Sequence, residues 1–282
     1  MPYCCPAKVN LFLSVDGTLP QGFHAVSTVM QRIGFCDELE AKVGSDGVLE
    51  LSRDIPATAD PEDDLVMKSA RLLREYAGKP ELGAKLLLKK RIHAGAGLGG
   101  GSSDAAGTLA YLNGLWKLDL KKEELLDLAL SLGSDVPFFL GPPAALCKGR
   151  GEKMTGLRPR ELFLVVVKPP ESLPTAAVYR KYDEIGRDAL DPETFLRAYE
   201  SGSIEDVGAA FGNALEAPAA ELEPRVVLVR EMMKTYTPYV SMSGSGSAFF
   251  GLFKDLASAA EAASGIKMTH PELTVCATKT LT

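Results

Sequence analysis

The sequence lacks what a membrane or nucleic-acid protein needs. Its longest uninterrupted apolar run, Leu162 to Val167, is far too short to span a bilayer, and no basic, leader-like segment opens it; the expectation is a cytoplasmic protein with no membrane partner. Positive charge is in deficit. A net charge of -6 and a pI near 5.3 argue against nucleic acid and anionic membrane surfaces as the main partner, because both require a concentrated positive field. Any anion must be bound locally. Cysteine is scarce: Cys4, Cys5, Cys36, Cys147 and Cys276 are odd in number and show neither C-x-x-C nor Cys/His spacing. That argues against a disulfide framework and a zinc site and leaves reduced thiols, mostly small core hydrophobes. Internal repeats and low-complexity tails are missing as well. With 282 residues, the chain can bury roughly three quarters of its unfolded surface, enough for one large domain or two smaller ones without staples.

What the chain has is glycine in one place. Gly95 to Ser103 reads GAGLGGGSS, between an apolar run at Leu86 to Ile92 and a helix-like run at Asp104 to Trp116. Each glycine forfeits conformational entropy on folding, so such a cluster persists where backbone takes unusual dihedrals or approaches something closely. Strand, glycine loop and helix start together aim backbone N–H groups and the positive end of a helix dipole at an anion, of which phosphate is the obvious one. The plain alternative is a flexible surface turn. Against it, Ser103 reads as an N-cap, Asp104 as a first-turn acid, and Ala105, Leu109, Leu112 and Trp116 recur at helical spacing.

Gly95, Gly97 and Gly100 satisfy G-x-G-x-x-G, a weak pattern alone. A dinucleotide fold would need a second strand ending in an acid, but another helix, Glu123 to Leu132, follows. No lysine follows the glycines, which excludes a Walker A loop, and the VAIK, HRD and DFG stretches of protein kinases are missing.

The remaining chain can be read in order. Val9, Leu11, Leu13 and Val15 alternate along a strand, so Lys8, Asn10, Phe12 and Ser14 share its other face. A turn at Asp16-Gly17 and a loop with Gly22, Phe23 and His24 precede β-rich sequence through Leu51. Asp60 as N-cap and Pro61 at the first helical position start a helix with Val66, Ala70, Leu73 and Ala77 on one face. Asp135 falls in a tight loop beside a helix start, where capping or turn formation is its ordinary role. Gly149 and Gly151 mark a turn between short strands. Residues 161 to 167 read as a buried strand, followed by helical patterns at 175 to 183, 192 to 200, 204 to 211 and 218 to 235. Strands flank a second glycine loop, Ser243 to Ser247, and a helix at Leu256 to Ala263 and a strand at Leu273 to Ala277 close the chain. A boundary near residue 157 gives domains 1–157 and 158–282.

With these pieces in place, the sequence resembles the GHMP kinase superfamily along its whole length. The resemblance is carried by PAKVNLFL at Pro6 to Leu13, GFH at Gly22 to His24, GAGLGGGSSDAA at Gly95 to Ala106, LGSDVPFF at Leu132 to Phe139 and SGSGSAFF at Ser243 to Phe250. It implies an α+β fold of two domains, an N-terminal ATP-binding domain and a C-terminal ferredoxin-like α/β sandwich, with the active site in the cleft between them. ATP and Mg2+ are the implied cofactors. The nucleotide is assigned to His93, Ala94, Gly95, Ala96, Gly97, Leu98, Gly99, Gly100, Gly101, Ser102 and Ser103, with Ser102 also near the metal. Asp135 is implied as catalytic base and Lys8 as its charged partner. The GFH stretch favours the branch whose small-molecule substrate is 4-diphosphocytidyl-2-C-methyl-D-erythritol, with Asn10, Phe23, His24, Tyr179, Ser243 and Gly244 as the substrate set, in a monomer or weak homodimer. Three positions depart from the pattern: Cys4-Cys5 before Pro6, Phe23 where tyrosine is usual, and His93 where proline is common. Homoserine or mevalonate kinase, diphosphomevalonate decarboxylase, and a nucleotide sensor without turnover remain the competing readings.

Overall fold

The computed structural model describes residues 2–55, 63–186 and 189–282. Strands β1 (Tyr3–Thr18) and β2 (His24–Gly44) open the chain, then β3 (Leu49–Arg53), α1 (Leu65–Tyr76) and β4 (Gly83–Lys89) lead to the glycine loop, and α2 (Gly100–Leu115), α3 (Lys122–Leu132) and α4 (Val136–Leu140) leave it. There follow β5 (Ala144–Gly149), β6 (Lys153–Gly156), β7 (Phe163–Lys168), α5 (Thr175–Ile185), α6 (Pro192–Ser201), α7 (Ile204–Ala209), β8 (Gly212–Asn213), α8 (Glu216–Leu222), α9 (Arg225–Lys234), β9 (Val240–Met242), β10 (Phe249–Phe253), α10 (Leu256–Thr269) and β11 (Thr274–Lys279). Contacts gather them into two compact units. The first holds Met1–Ala7, Phe35–Ala94 and Gly99–Pro142, and the second Lys8–Gly34, Gly95–Leu98 and Pro143–Thr282. The dividing line passes through β1, β2 and the glycine loop, so the units do not follow a single cut in the sequence.

In the first unit β4 pairs parallel with β3, Leu49 opposite Ala84, and antiparallel with β2, Glu38 opposite Lys89. Ala84, Leu86 and Leu88 are buried while Lys85 and Lys89 are exposed, the period-2 pattern of a strand with one face on a core. Helix α1 begins at Asp64, whose carboxylate accepts from the Val66 and Met67 N–H groups, and buries Val66, Ser69, Ala70 and Leu73. The expected start at Asp60 and Pro61 lies outside the described residues. Helix α2 begins earlier than the sequence suggests. Gly99 is its N-cap, in the left-handed region, and Ser103 already donates its N–H to Gly99 O at 2.9 Å, so Ser103 is a helical residue and Asp104 lies beyond the first turn. Small residues are required there: a Cβ at Gly100 would meet Ile92 Cγ2 at 2.7 Å, and one at Gly107 would meet Cys5 Sγ at 2.5 Å.

The second unit contains two sheets. In one, β1 pairs parallel with β8 and β2 pairs antiparallel with β5, which carries β6 at its edge. Within β1, residues 7 to 15 are buried on both faces, so the alternation at Val9 to Val15 does not mark a solvent-facing side. The other sheet is fully antiparallel in the order β11-β7-β10-β9, with α10 crossing from β10 to β11; this is the ferredoxin-like order expected of the C-terminal half. The expected helix at 218 to 235 is two helices. Pro224 interrupts it, forcing Glu223 into extended backbone (φ -141°, ψ 93°). Conversely, α10 runs to Thr269, six residues past the expected Ala263, because Ile266 continues its buried face.

Candidate active site

The glycine loop alternates. Gly95 (φ 63°), Gly97 (φ 73°) and Gly99 (φ 71°) take left-handed backbone that side chains disfavour, while Ala96 and Leu98 between them are buried and pin the loop. At Gly97 the requirement is absolute, since a Cβ there would lie 1.9 Å from Ser243 O. Gly100, Gly101 and Ser102 then form the first turn of α2, whose N–H groups have no intrahelical acceptor. Ser103 is buried and its hydroxyl has no hydrogen-bond partner among the described residues. His93 and Ala94 lead in, both exposed.

The loop's first half is laced to its own unit. Gly95 O and Ala96 O accept from Ser247 N (3.3 Å) and Ala248 N (3.1 Å), Leu98 O accepts from Lys8 N (3.0 Å), and Gly97 O accepts from the Ser243 hydroxyl (2.9 Å). Ser243 belongs to the second glycine loop, and its Oγ in turn accepts from Asn10 N at 3.3 Å. Asn10 is buried: its Nδ2 donates to Thr28 Oγ1 (2.8 Å) and its Oδ1 accepts from the buried Lys8 ammonium. A Cβ on Gly244 (φ 56°) would come within 3.2 Å of Asn10 Oδ1 and of Gly97 O. Lys8, Asn10, Gly97, Ser243 and Gly244, chosen from separate motifs, thus converge on one cluster.

Helix α2 is anchored from beneath by a buried charge cluster that the sequence reading missed. Asp37 accepts from Arg91 N (2.5 Å), Ile92 N (2.8 Å) and Lys90 Nζ (2.5 Å), and the same ammonium donates to Asp104 Oδ2 at 2.7 Å. Burial pushes the Asp104 carboxyl up to about 7, with Lys90 pulling the other way.

Asp135 lies in the first unit, half-buried, at the N-cap position of α4 with Pro137 next but one. Its side chain makes no capping hydrogen bond, which removes capping as the reason for an aspartate there.

Models of two protein families match the chain: the GHMP kinases N terminal domain over residues 64–141 and the GHMP kinases C terminal over 195–269. A 4-diphosphocytidyl-2-C-methyl-D-erythritol kinase from Pelotomaculum thermopropionicum is 39% identical over 275 residues, covering 96% of each chain. The chain belongs to the 4-diphosphocytidyl-2-C-methyl-D-erythritol kinase family. It is a small-molecule kinase. A crystal structure of 4-(cytidine 5'-diphospho)-2C-methyl-D-erythritol kinase, 36% identical, superposes with a TM-score of 0.84 over 100% of both chains. A mevalonate kinase from L. major in complex with R-mevalonate, covering 99% of this chain and 95% of its own, reaches 0.73 at 19% identity, a likeness of fold alone.

Three residues of the expected substrate set divide into two groups. His24, the first residue of β2, stacks on Tyr179 of α5 with ring centroids 4.7 Å apart and 26° between planes, and its Nε2 is 2.7 Å from Asp183 Oδ1. Phe23, 41% exposed, has the Arg150 guanidinium 3.8 Å over its ring. Phe23 and Tyr179 thus contact different partners, Arg150 and His24. Asp183 and Arg150 went unread because a surface acid and a surface arginine carry no pattern. Asn213 was missed too. Its Nδ2 donates to Met242 O (2.7 Å) and Gly244 O (2.8 Å), fixing the second glycine loop; a lone asparagine beside a helix start is the sole sequence hint.

Proposed function

We propose that this chain transfers the γ-phosphoryl group of ATP to the 2-hydroxyl of 4-diphosphocytidyl-2-C-methyl-D-erythritol, in the non-mevalonate route to isoprenoids. The observation that carries phosphoryl transfer is the loop itself: left-handed glycines at 95 and 97 lead to a left-handed Gly99 that caps α2 and leaves the first N–H groups of that helix open to an anion. The choice of alcohol rests on the near-full-length likeness to kinases of that name. Domains 1–157 and 158–282 are proposed on the same footing as regions of the sequence, not as independently folding bodies, since the two family-model ranges fall on either side of residue 157.

Phosphates suit this cradle. It offers the free backbone N–H groups of the first turn of α2, with the unpartnered Ser103 hydroxyl next in the chain. Magnesium is bound largely through phosphate oxygens and water and needs few protein ligands, so Ser102 in the first turn of α2 would suffice to complete its shell and the ion would neutralise charge on the transferring group. In the reaction the substrate's 2-oxygen bonds to the γ-phosphorus, the bond from that phosphorus to the ADP oxygen breaks, and the hydroxyl proton passes to the Asp135 carboxylate. Because such transition states are loose, little bonding to the nucleophile precedes proton loss, and a carboxylate is basic enough. Lys8 supplies positive charge for the phosphoryl oxygens; Asn10, accepting from its ammonium, fixes where that charge sits. His24 and Tyr179 present a π-face and a polar edge suited to cytosine, with Phe23 nearby in sequence.

A coupled ATP-consumption assay against 4-diphosphocytidyl-2-C-methyl-D-erythritol, mevalonate, homoserine and galactose tests the reading. Turnover of the first alone is expected. Turnover of another alcohol in its place overturns the substrate, and ATP binding without turnover of any would leave a sensor.

A further inference from the structure

Lys168 ends β7, after the buried run Leu164 to Val167, and is itself 5% exposed. A lysine at such a position would ordinarily carry its ammonium to water. This one turns back on its own chain. Its Nζ donates to Pro169 O at 2.8 Å, Pro170 O at 3.1 Å, Glu171 O at 3.0 Å and Ser172 Oγ at 3.2 Å. An ammonium has three hydrogens, and four oxygens surround it, so the shell is that of a cation in a ring of dipoles and not a set of one-to-one pairs. None of the four is a carboxylate oxygen; the Glu171 carboxylate is engaged by Arg225. Pro169 and Pro170 favour the arrangement, because they have no N–H to commit to a strand and their carbonyls are free to face inward. Burial lowers the pKa of Lys168, with Glu171 opposing the shift.

The curled segment backs the glycine loop. A Cβ at Gly95 would lie 2.8 Å from Ser172 Cβ, so Ser172 rests directly on that glycine. Ser247 makes a second link, donating its hydroxyl to Glu171 O and its N–H to Gly95 O. All these residues lie in the second compact unit.

We propose that Lys168 is a built-in monovalent cation, a positioning residue that holds residues 169–172, and through them Gly95, in the shape that accepts phosphate, and that the cage it fills is a latent site for potassium or ammonium ion. Rings of backbone carbonyls replace the hydration shell of such ions elsewhere in proteins. The inference rests on the assignment of nucleotide phosphates to this loop.

The test is Lys168→Ala, which empties the cage, with equilibrium binding of a fluorescent ATP analogue measured at one ionic strength in choline, potassium or ammonium chloride. Wild type should bind equally in all three. The variant should bind about tenfold more weakly in choline, a loss in the range that displacement of a positioning group produces, and potassium or ammonium should recover most of it. Unchanged affinity in choline, or a loss that no cation relieves, overturns the proposal. Should the variant be too unstable for titration, its melting temperature serves: a rise with potassium or ammonium but not choline supports the cage, and indifference to the cation overturns it. Failure of the wild type to bind the analogue would instead refute the phosphate assignment.

Discussion

Asp135 occupies a capping position without a capping hydrogen bond, and substitution can separate the two readings that this position allows. A capping aspartate contributes to helix stability, typically by about 1 kcal/mol relative to a residue that cannot cap. A catalytic base contributes chiefly to rate. For Asp135→Asn we expect kcat to fall by roughly 10²–10⁴, the range attributed to positioned proton transfer. The amide keeps the shape but cannot take the proton, so nucleotide affinity should stay within a few-fold, and α4 loses no cap bond from this side chain. A variant with wild-type kcat and a lowered melting temperature would return Asp135 to a structural role. Lys8 and Asn10 show the converse at the same scale: two polar side chains two residues apart on a strand were read as sharing a face, and the structure joins them by a hydrogen bond.

Among the elements, the test falls on glycines. Gly97→Ala adds a methyl that would overlap Ser243 O, 1.9 Å away, and imposes a side chain at φ 73°. Gly114, in α2, has open space around its would-be Cβ and no left-handed φ. Gly97→Ala is therefore expected to raise the KM for ATP by roughly tenfold or more, a displacement effect. Gly114→Ala should leave KM unchanged and stabilise the protein by about 0.5–1 kcal/mol through helix propensity. Equal effects of the two on KM would mean the loop's conformation does not matter to nucleotide. The same contrast explains what was legible beforehand. Strand alternation at Val9 to Val15, the turn at Gly149 and Gly151 and the buried strand after residue 160 all depend on side-chain patterning, and all were readable. The start of α2 was not, because glycines read as helix breakers, yet Gly100 and Gly101 enter the helix where Ile92 leaves no room for a side chain at Gly100. In the candidate site, Lys8, Asn10, Ser243 and Gly244 were singled out through motifs. Lys168 and Asn213 act on main-chain carbonyls, which every residue has, so no pattern of residue types betrays them.

For the whole molecule, the question is whether the C-terminal half stands alone. Its family model begins at residue 195, and a cut near 157 reads as natural in the sequence. The core of the second unit argues otherwise. Leu13, Val15 and Val26 are buried in one cluster with Val165, Val167, Phe249 and Ile266. Further stitches come from residue 31 onward: Gln31 Nε2 donates to Arg160 O (2.8 Å) and Leu281 O (3.1 Å), the Tyr199 hydroxyl donates to Gln31 Oε1 (2.9 Å), and Leu281 N donates to Arg32 O (2.8 Å). Burying an aliphatic side chain stabilises by roughly 1.5–3 kcal/mol, so losing these three contacts alone is comparable with the whole net stability of a domain, about 5–15 kcal/mol. The lost hydrogen bonds leave Leu281 N and the Tyr199 hydroxyl to find other partners, although Arg160 O keeps the Thr280 hydroxyl. A fragment spanning residues 158–282 is therefore expected to keep helical far-UV dichroism while binding a hydrophobic dye and melting without a cooperative transition, whereas the full chain melts sharply. A sharp melt with native-like near-UV dichroism from the fragment would show that β1 and β2 are dispensable to the second unit, and that its core is closed by residues after 157 alone.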